Sequence, residues 1–387
     1  RCVVLHGTER HGVFEQLANF DLVITTYGLV QRDIEYHQEH YYDVVVLDEA
    51  QKIKNINAKV TRAVQKLPSD MRLCLTGTPL ENHLGELWSI MNFAQPGLLG
   101  TDEFFRKHYR KAIEGEQDSH RNKELSAKIA PFMVRRTKHE VAKELPKKSE
   151  FIQNVHIEKD QKALYESIRI SMEKRIRKLI QQKGVARSHI EFLDALLKLR
   201  QACIDPRLVN LEQSKEIKHS AKMDWLLENI PELVDEGRSI LVFSQFTKML
   251  DLIEKELSAI NVKTTKLTGR TRNRQAVIEA FQQGSVPVFL ISLKAGGAGL
   301  NLTAADCVIH VDPWWNPAVE NQATDRAYRI GQEKPVFVYK LVAANTVEEK
   351  IQTMQQHKQS LADSLFEATS KAKLPLSGEE LLGLFAK

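Results

Sequence analysis

Short apolar runs closed by polar or turn-forming residues mark the first part of the chain. Asp21-Leu22-Val23-Ile24-Thr25-Thr26-Tyr27, Asp43-Val44-Val45-Val46-Leu47-Asp48 and Met71-Arg72-Leu73-Cys74-Leu75-Thr76 read as strands, and the sequence opens inside another, Cys2-Val3-Val4-Leu5. Near-continuous apolar runs of this length suit a parallel sheet covered on both faces. Helices fit between and after them, as at Glu86-Leu87-Trp88-Ser89-Ile90-Met91.

The middle has a different period. From about Lys159 to Leu199 strand signals are lacking, and Tyr165, Ile168, Met172, Ile176 and Leu179 recur at helical spacing with Lys174, Arg175, Arg177 and Lys178 between them. A second helix runs through Ile190, Leu193, Leu196 and Leu197 and stops before Pro206. This is a helical insertion or projecting hairpin. A solvated amphipathic pair and a DNA-facing basic surface stand as equal readings of it. The α/β alternation resumes near Lys222. Strands are expected at Ser239–Ser244, Val288–Ile291, Cys307–Val311 and Val336–Tyr339, with helices at Lys248–Leu257 and Arg274–Phe281 and a mainly helical stretch from Val347 on.

Composition narrows the class. The 387 residues are 42% hydrophobic and 27% charged, which suits two or three globular domains. No apolar run is long enough to span a bilayer, so no membrane partner is expected. The four cysteines, Cys2, Cys74, Cys203 and Cys307, form no CxxC pair, which argues against a structural zinc site or a disulfide framework. A net charge of +5 permits nucleic-acid binding without establishing it.

The candidate chemistry sits at strand ends. Asp48 and Glu49 follow an apolar strand, where open α/β sheets bind ligands. One carboxylate can hold Mg2+, often through water, while its neighbour orients or deprotonates an attacking water. Thr76-Gly77-Thr78-Pro79 follows another strand; its hydroxyls could relay a phosphate state, or the segment is an ordinary turn. Ala295-Gly296-Gly297-Ala298-Gly299-Leu300-Asn301-Leu302 is a glycine-rich loop after a strand. In Asp312-Pro313-Trp314-Trp315-Asn316-Pro317 the indoles pack at an interface or stack on bases. In Gln322-Ala323-Thr324-Asp325-Arg326-Ala327-Tyr328-Arg329-Ile330-Gly331-Gln332, Arg326 and Arg329 are expected on one face of a short helix ended by the glycine, suited to a transferring phosphate. A P-loop needs Gly-x-x-x-x-Gly-Lys-Ser/Thr, and this sequence contains no Gly-Lys dipeptide.

Taken in order, these segments resemble the SWI/SNF-type ATPases of helicase superfamily 2. Val23–Tyr27 is similar to that family's motif Ib, Asp48–Asn55 to motif II and Leu75–Asn82 to motif III. Pro131–Lys138 resembles the segment leading out of the first lobe, and Leu199-Arg200-Gln201-Ala202-Cys203 the linker into the second. Ile240–Phe246 resembles motif IV, Ser292–Asn301 and Asp312–Pro317 motif V and its extension, and Gln322–Gln332 motif VI. Ile204-Asp205 departs from the family's usual residues at that point.

The resemblance implies an α/β fold of two RecA-like parallel-sheet lobes with a helical protrusion between them. The expected divisions are a partial first lobe at 1–150, the protrusion and linker at 151–210, the second lobe at 211–360 and a helical brace at 361–387. It implies that Asp48 binds Mg2+, that Glu49 is the catalytic base and that Gln51 senses the γ-phosphate of ATP. Thr76, Gly77 and Thr78 would couple ATP state to DNA. Gly299, Asn301 and Gln322 would lie near the nucleotide, and Arg326 and Arg329 would act as arginine fingers. The implied partners are double-stranded DNA and a DNA-bound protein such as a polymerase or a nucleoid or chromatin protein. The implied setting is the nucleoid of a prokaryote or a eukaryotic nucleus. Family members carry the P-loop upstream of motif Ib, so the sequence reads as the C-terminal portion of a longer motor, nearly inactive alone. A non-catalytic DNA- or protein-binding fragment and a strand-separating helicase are the alternatives.

Overall fold

The computed structural model describes residues 1–77, 83–116, 118–136, 138–183, 189–214, 216–296, 299–314 and 317–353, together with residue 383. The described chain falls into two compact units, one built on Arg1–Met133 and one on the chain that begins at Val134.

In the first unit, β1 (Cys2–Val4) pairs in parallel with β2 (Leu22–Ile24), and β3 (Tyr42–Leu47) with β4 (Ser69–Cys74). The Thr26 hydroxyl caps the helix that follows β2, α1 (Tyr27–Arg32), by accepting from Leu29 N. Helices α2 (Lys59–Val64) and α3 (Leu84–Ala94) complete one cover. Val45 and Leu47 pack there with Val30, Ile53, Val64, Ile90 and Phe93. The opposite face departs from the expectation of two-sided cover. Val44 and Met71, and Val46 and Leu73, are register partners, and all four are exposed, Val46 and Met71 by 51% each. An apolar run reports what a strand tolerates, not what lies over it.

The second unit holds the larger sheet. Its strands are β5 (Lys148–Val155), β6 (Ile240–Ser244), β7 (Thr264–Leu267), β8 (Val288–Ser292), β9 (Cys307–His310) and β10 (Val336–Ala343). They lie in the order β5-β10-β9-β6-β8-β7, with every neighbouring pair parallel. Here the sheet is covered on both faces. Ile240 and Val242 enter one core with Leu226, Ile230, Leu250 and Ile253; Leu241 and Phe243 enter the other with Phe289, Ile291 and Tyr328.

The predicted helical pair is α4 (Lys159–Lys183) and α5 (His189–Ile204). Leu164, Tyr165 and Ile168 pack against Phe192, Ala195, Leu196 and Leu199, and this core extends to Val347 and Ile351. The Tyr165 hydroxyl accepts from Val347 N at 2.9 Å, fixing the pair to the second unit. Lys174, Arg175, Arg177 and Lys178 are exposed. The division drawn at 150 from sequence falls inside β5, whereas the units divide after Met133. Lys148–Val155 carries too few apolar residues to stand out as a strand; it pairs along its whole length with β10, and Glu150 meets Lys148 and Lys340. The brace at 361–387 lies outside the described residues except for residue 383.

Candidate nucleotide-binding residues and the strand-end edge

The acidic set of the first unit stands where β3 gives way to a turn. Asp48 is exposed and Glu49 half-buried. Glu49 has φ 52°, a left-handed value that costs a non-glycine residue on the order of 1 kcal/mol or more. The turn is fixed on both sides: Leu75 N donates to Leu47 O at 2.8 Å, and Ala50 N to Leu75 O at 2.9 Å. Asp48 Oδ1 accepts from Glu49 N at 2.9 Å, and Tyr27 Oη donates to Asp48 O at 2.7 Å. Burial, then the nearby Cys74, Asp48 and Glu49, raise the Tyr27 pKa, so the phenol stays a donor.

Gln51 joins this set to β4. Its Nε2 donates to Glu49 Oε2 at 2.6 Å, and its Oε1 accepts from Thr76 Oγ1 at 2.8 Å. Asp48, Glu49, Gln51 and Thr76 are therefore brought together, with Gly77 next along the chain. Thr78 lies outside the described residues. Among the described residues no cluster of three His, Cys, Asp or Glu side chains could cage a metal. An exposed strand-end carboxylate such as Asp48 instead fits Mg2+, which takes one or two carboxylates and completes its shell with water and phosphate.

The guanidinium set lies in the second unit and corrects one expectation. The helix before it, Pro317–Thr324, ends short of both arginines, which sit in the turn that follows. Past Thr324 the bonding tightens to three-residue turns, Arg326 N to Ala323 O and Ala327 N to Thr324 O, while the Thr324 hydroxyl contacts His310 Nε2 at 2.9 Å. Arg326 is buried and Arg329 exposed. Arg326 Nε donates to Gly296 O at 3.1 Å, and Arg326 O accepts from Leu302 N at 2.9 Å, which stitches this turn to the glycine-rich loop. Gln332 Nε2 donates to Thr303, Ala305 and Ala327 carbonyls and holds the same segment from behind. Gly299 is exposed at φ 50°, a value that favours glycine, and Asn301 is exposed with its carbonyl accepting from Gln282. Gln322 is half-buried.

Sequence reasoning missed a third group. Because all six strands are parallel, their carboxyl ends share one edge. Lys248 after β6, Arg270, Arg272 and Arg274 after β7, and Lys294 after β8 are all exposed there. The run Gly269-Arg270-Thr271-Arg272-Asn273-Arg274 was the available signal; only the topology adds Lys248 and Lys294 to it. Trp314, half-buried at the same edge, donates its backbone N–H to Glu320 at 2.6 Å, while Trp315 lies outside the described residues.

Residues 1–208 match the profile of the SNF2-related domain, and residues 221–331 that of the helicase conserved C-terminal domain. An uncharacterized ATP-dependent helicase of Mycoplasma genitalium, MG018, is 38% identical over 382 residues, covering 97% of this chain and 36% of its own length. A human SWI/SNF-related matrix-associated actin-dependent regulator of chromatin, subfamily A member 1, is 35% identical over 350 residues, covering 86% of this chain and 32% of its own length. Among solved structures, the Sulfolobus solfataricus SWI2/SNF2 ATPase core in complex with dsDNA is 36% identical with a TM-score of 0.48, covering 95% of this chain and 77% of that one. The chain thus spans well under half the length of these curated relatives.

Proposed function

The chain belongs to the SNF2-related family, and from that premise we propose that its residues serve an ATP-driven motor that moves along double-stranded DNA and remodels protein–DNA complexes. The observation that carries this reading is the Glu49–Gln51–Thr76 relay, which ties a strand-end carboxylate to the neighbouring strand. Asp48 would hold Mg2+, which neutralises phosphate charge when bound. Glu49 would orient and deprotonate the attacking water, and Gln51 would register the γ-phosphate. Arg326 and Arg329 would offset charge developing on the same triphosphate, with Gly299, Asn301 and Gln322 beside the nucleotide. Thr76, Gly77 and Thr78 would pass the state of the nucleotide to DNA. Lys248, Arg270, Arg272, Arg274 and Lys294 supply a basic edge for duplex phosphates. The remodelled partner would be a DNA-bound protein, a polymerase or a nucleoid or chromatin component.

DNA-stimulated ATP turnover tests the reading. With no Gly-Lys cradle in the sequence, these 387 residues alone should turn over almost no ATP, and a polypeptide that adds a P-loop segment should gain DNA-stimulated turnover. Vigorous turnover without the cradle would refute the division of labour. The absence of Gly-Lys also favours a non-catalytic duplex-binding module, and duplex binding without turnover even after the cradle is supplied would select it.

A further inference from the structure

We propose that Arg200 is a positioning residue for the DNA-binding edge of the second unit, clamping the exits of β6 and β9 from helix α5. The inference rests on the duplex-binding reading above and adds to it a residue that touches no DNA. Arg200 is 3% exposed, so its guanidinium must be met by protein. Nη1 donates to Gln245 Oε1 at 3.0 Å and Nη2 to Pro313 O at 2.5 Å, with Asp312 Oδ2 3.7 Å away. The guanidinium also lies 6.0 Å from the Phe246 ring centroid and 5.8 Å from that of Trp314. One planar group therefore bonds two loops that leave adjacent parallel strands.

Asp312 closes the arrangement. It is buried; its Oδ1 accepts from Ser244 Oγ at 2.6 Å, and both its oxygens lie 3.3 Å from Gln245 N. Phe246 is the N-cap residue of the helix Thr247–Ala259, whose second residue is the exposed Lys248. On the other loop, Trp314 continues to Glu320 and the helix Pro317–Thr324. A buried ion pair adds little stability over well-packed apolar groups, so its use here points to geometry. The fork of an arginine fixes two oxygens at set angles, which a lysine cannot do. Held from α5, the β6 exit presents Lys248, and the β9 exit presents Trp314, in one fixed register.

The test is equilibrium binding of a fluorescent duplex to the 387-residue chain across a salt series, with thermal melting of each variant. Arg200→Ala should lower duplex affinity roughly tenfold, comparable to losing one charge-assisted hydrogen bond, and leave the salt slope unchanged because no phosphate contact is removed. Arg200→Lys should recover only part of the loss. Gln245→Ala leaves the arginine in place and should weaken binding in the same direction, with the double variant no weaker than Arg200→Ala alone. Unchanged affinity in a cooperatively melting Arg200→Ala protein would overturn the proposal, as would a slope reduced by about one, which marks a direct phosphate contact. If Arg200→Ala does not fold, unchanged affinity in Gln245→Ala overturns it. Failure of the unaltered chain to bind duplex would instead remove the DNA reading, and this inference with it.

Discussion

Gln51 stands between Glu49 and Thr76, donating to the carboxylate at 2.6 Å and accepting from the hydroxyl at 2.8 Å. One amide thus reads the ends of two adjacent parallel strands. If the γ-phosphate draws Gln51 out of this relay, Thr76 loses its bond to Gln51 Oε1 in the same event. Thr76→Val keeps the volume and removes the donor. In a polypeptide supplied with a P-loop, the variant should retain ATP binding and DNA-free turnover while DNA stimulation falls about tenfold, the scale of one buried hydrogen bond. Turnover with and without saturating duplex gives the ratio directly.

The second unit is pinned by an ion pair that is closed to solvent. Lys222 Nζ meets Glu348 Oε2 at 2.6 Å, Val311 O at 2.7 Å and Leu341 O at 3.0 Å; both side chains are 0% exposed. Glu348 also accepts from Ala343 N. Lys222→Met leaves a carboxylate buried without its cation and should cost roughly 3–5 kcal/mol. Adding Glu348→Gln removes the stranded charge and should restore about half of that loss. Denaturant midpoints of the two variants measure the difference.

His310 gives the second unit an acid sensitivity. Burial, then the charge of Lys340, pushes its pKa from 6.5 down to about 3. The ring stacks on Phe243 at 5.5 Å and contacts Thr324 Oγ1. Because the folded value lies below the unfolded one, the unfolded chain takes the proton first. Its contribution is complete above pH 6.5 and is lost as pH falls from there towards 3, by about 2 kcal/mol at pH 5. His310→Gln can keep a contact to Thr324 without titrating and should flatten the fall in melting temperature between pH 7 and 5. His37, lowered in the same direction by burial in the first unit, leaves a residual slope.

The order of strands and helices was legible because apolar runs and a helical period carry it. The α4–α5 pair, β6, β8 and β9 follow the predicted positions closely. What failed depends on partners that a local pattern does not contain. Strand β5 is mostly polar and is held at the edge by its parallel ladder to β10, with Glu150 paired to Lys148 and Lys340. Arg326 and Arg329 have helical spacing, but the helix ends at Thr324 and both lie in the turns that follow. The open face of β3 and β4 reads as core from sequence because Val44, Val46, Met71 and Leu73 are as apolar as buried residues. Lys248 and Lys294 are single charges joined to Arg270, Arg272 and Arg274 only by sheet topology, and Arg200 meets the strand exits from a helix. Thr78, Gly297 and most of 361–387 lie outside the described residues.

The function proposed above has Glu49 and Arg329 serve one phosphoryl transfer. The most direct measurement is a double-mutant cycle on turnover in the P-loop-supplied polypeptide, using Glu49→Gln, Arg329→Ala and both together, with ATP affinity measured beside it. Each single variant should bind ATP and lose turnover by roughly a thousandfold, and the double should be little worse than the poorer single, because groups serving one transition state fail together. Losses that multiply, or a loss of ATP binding that accounts for the lost turnover, would contradict the account.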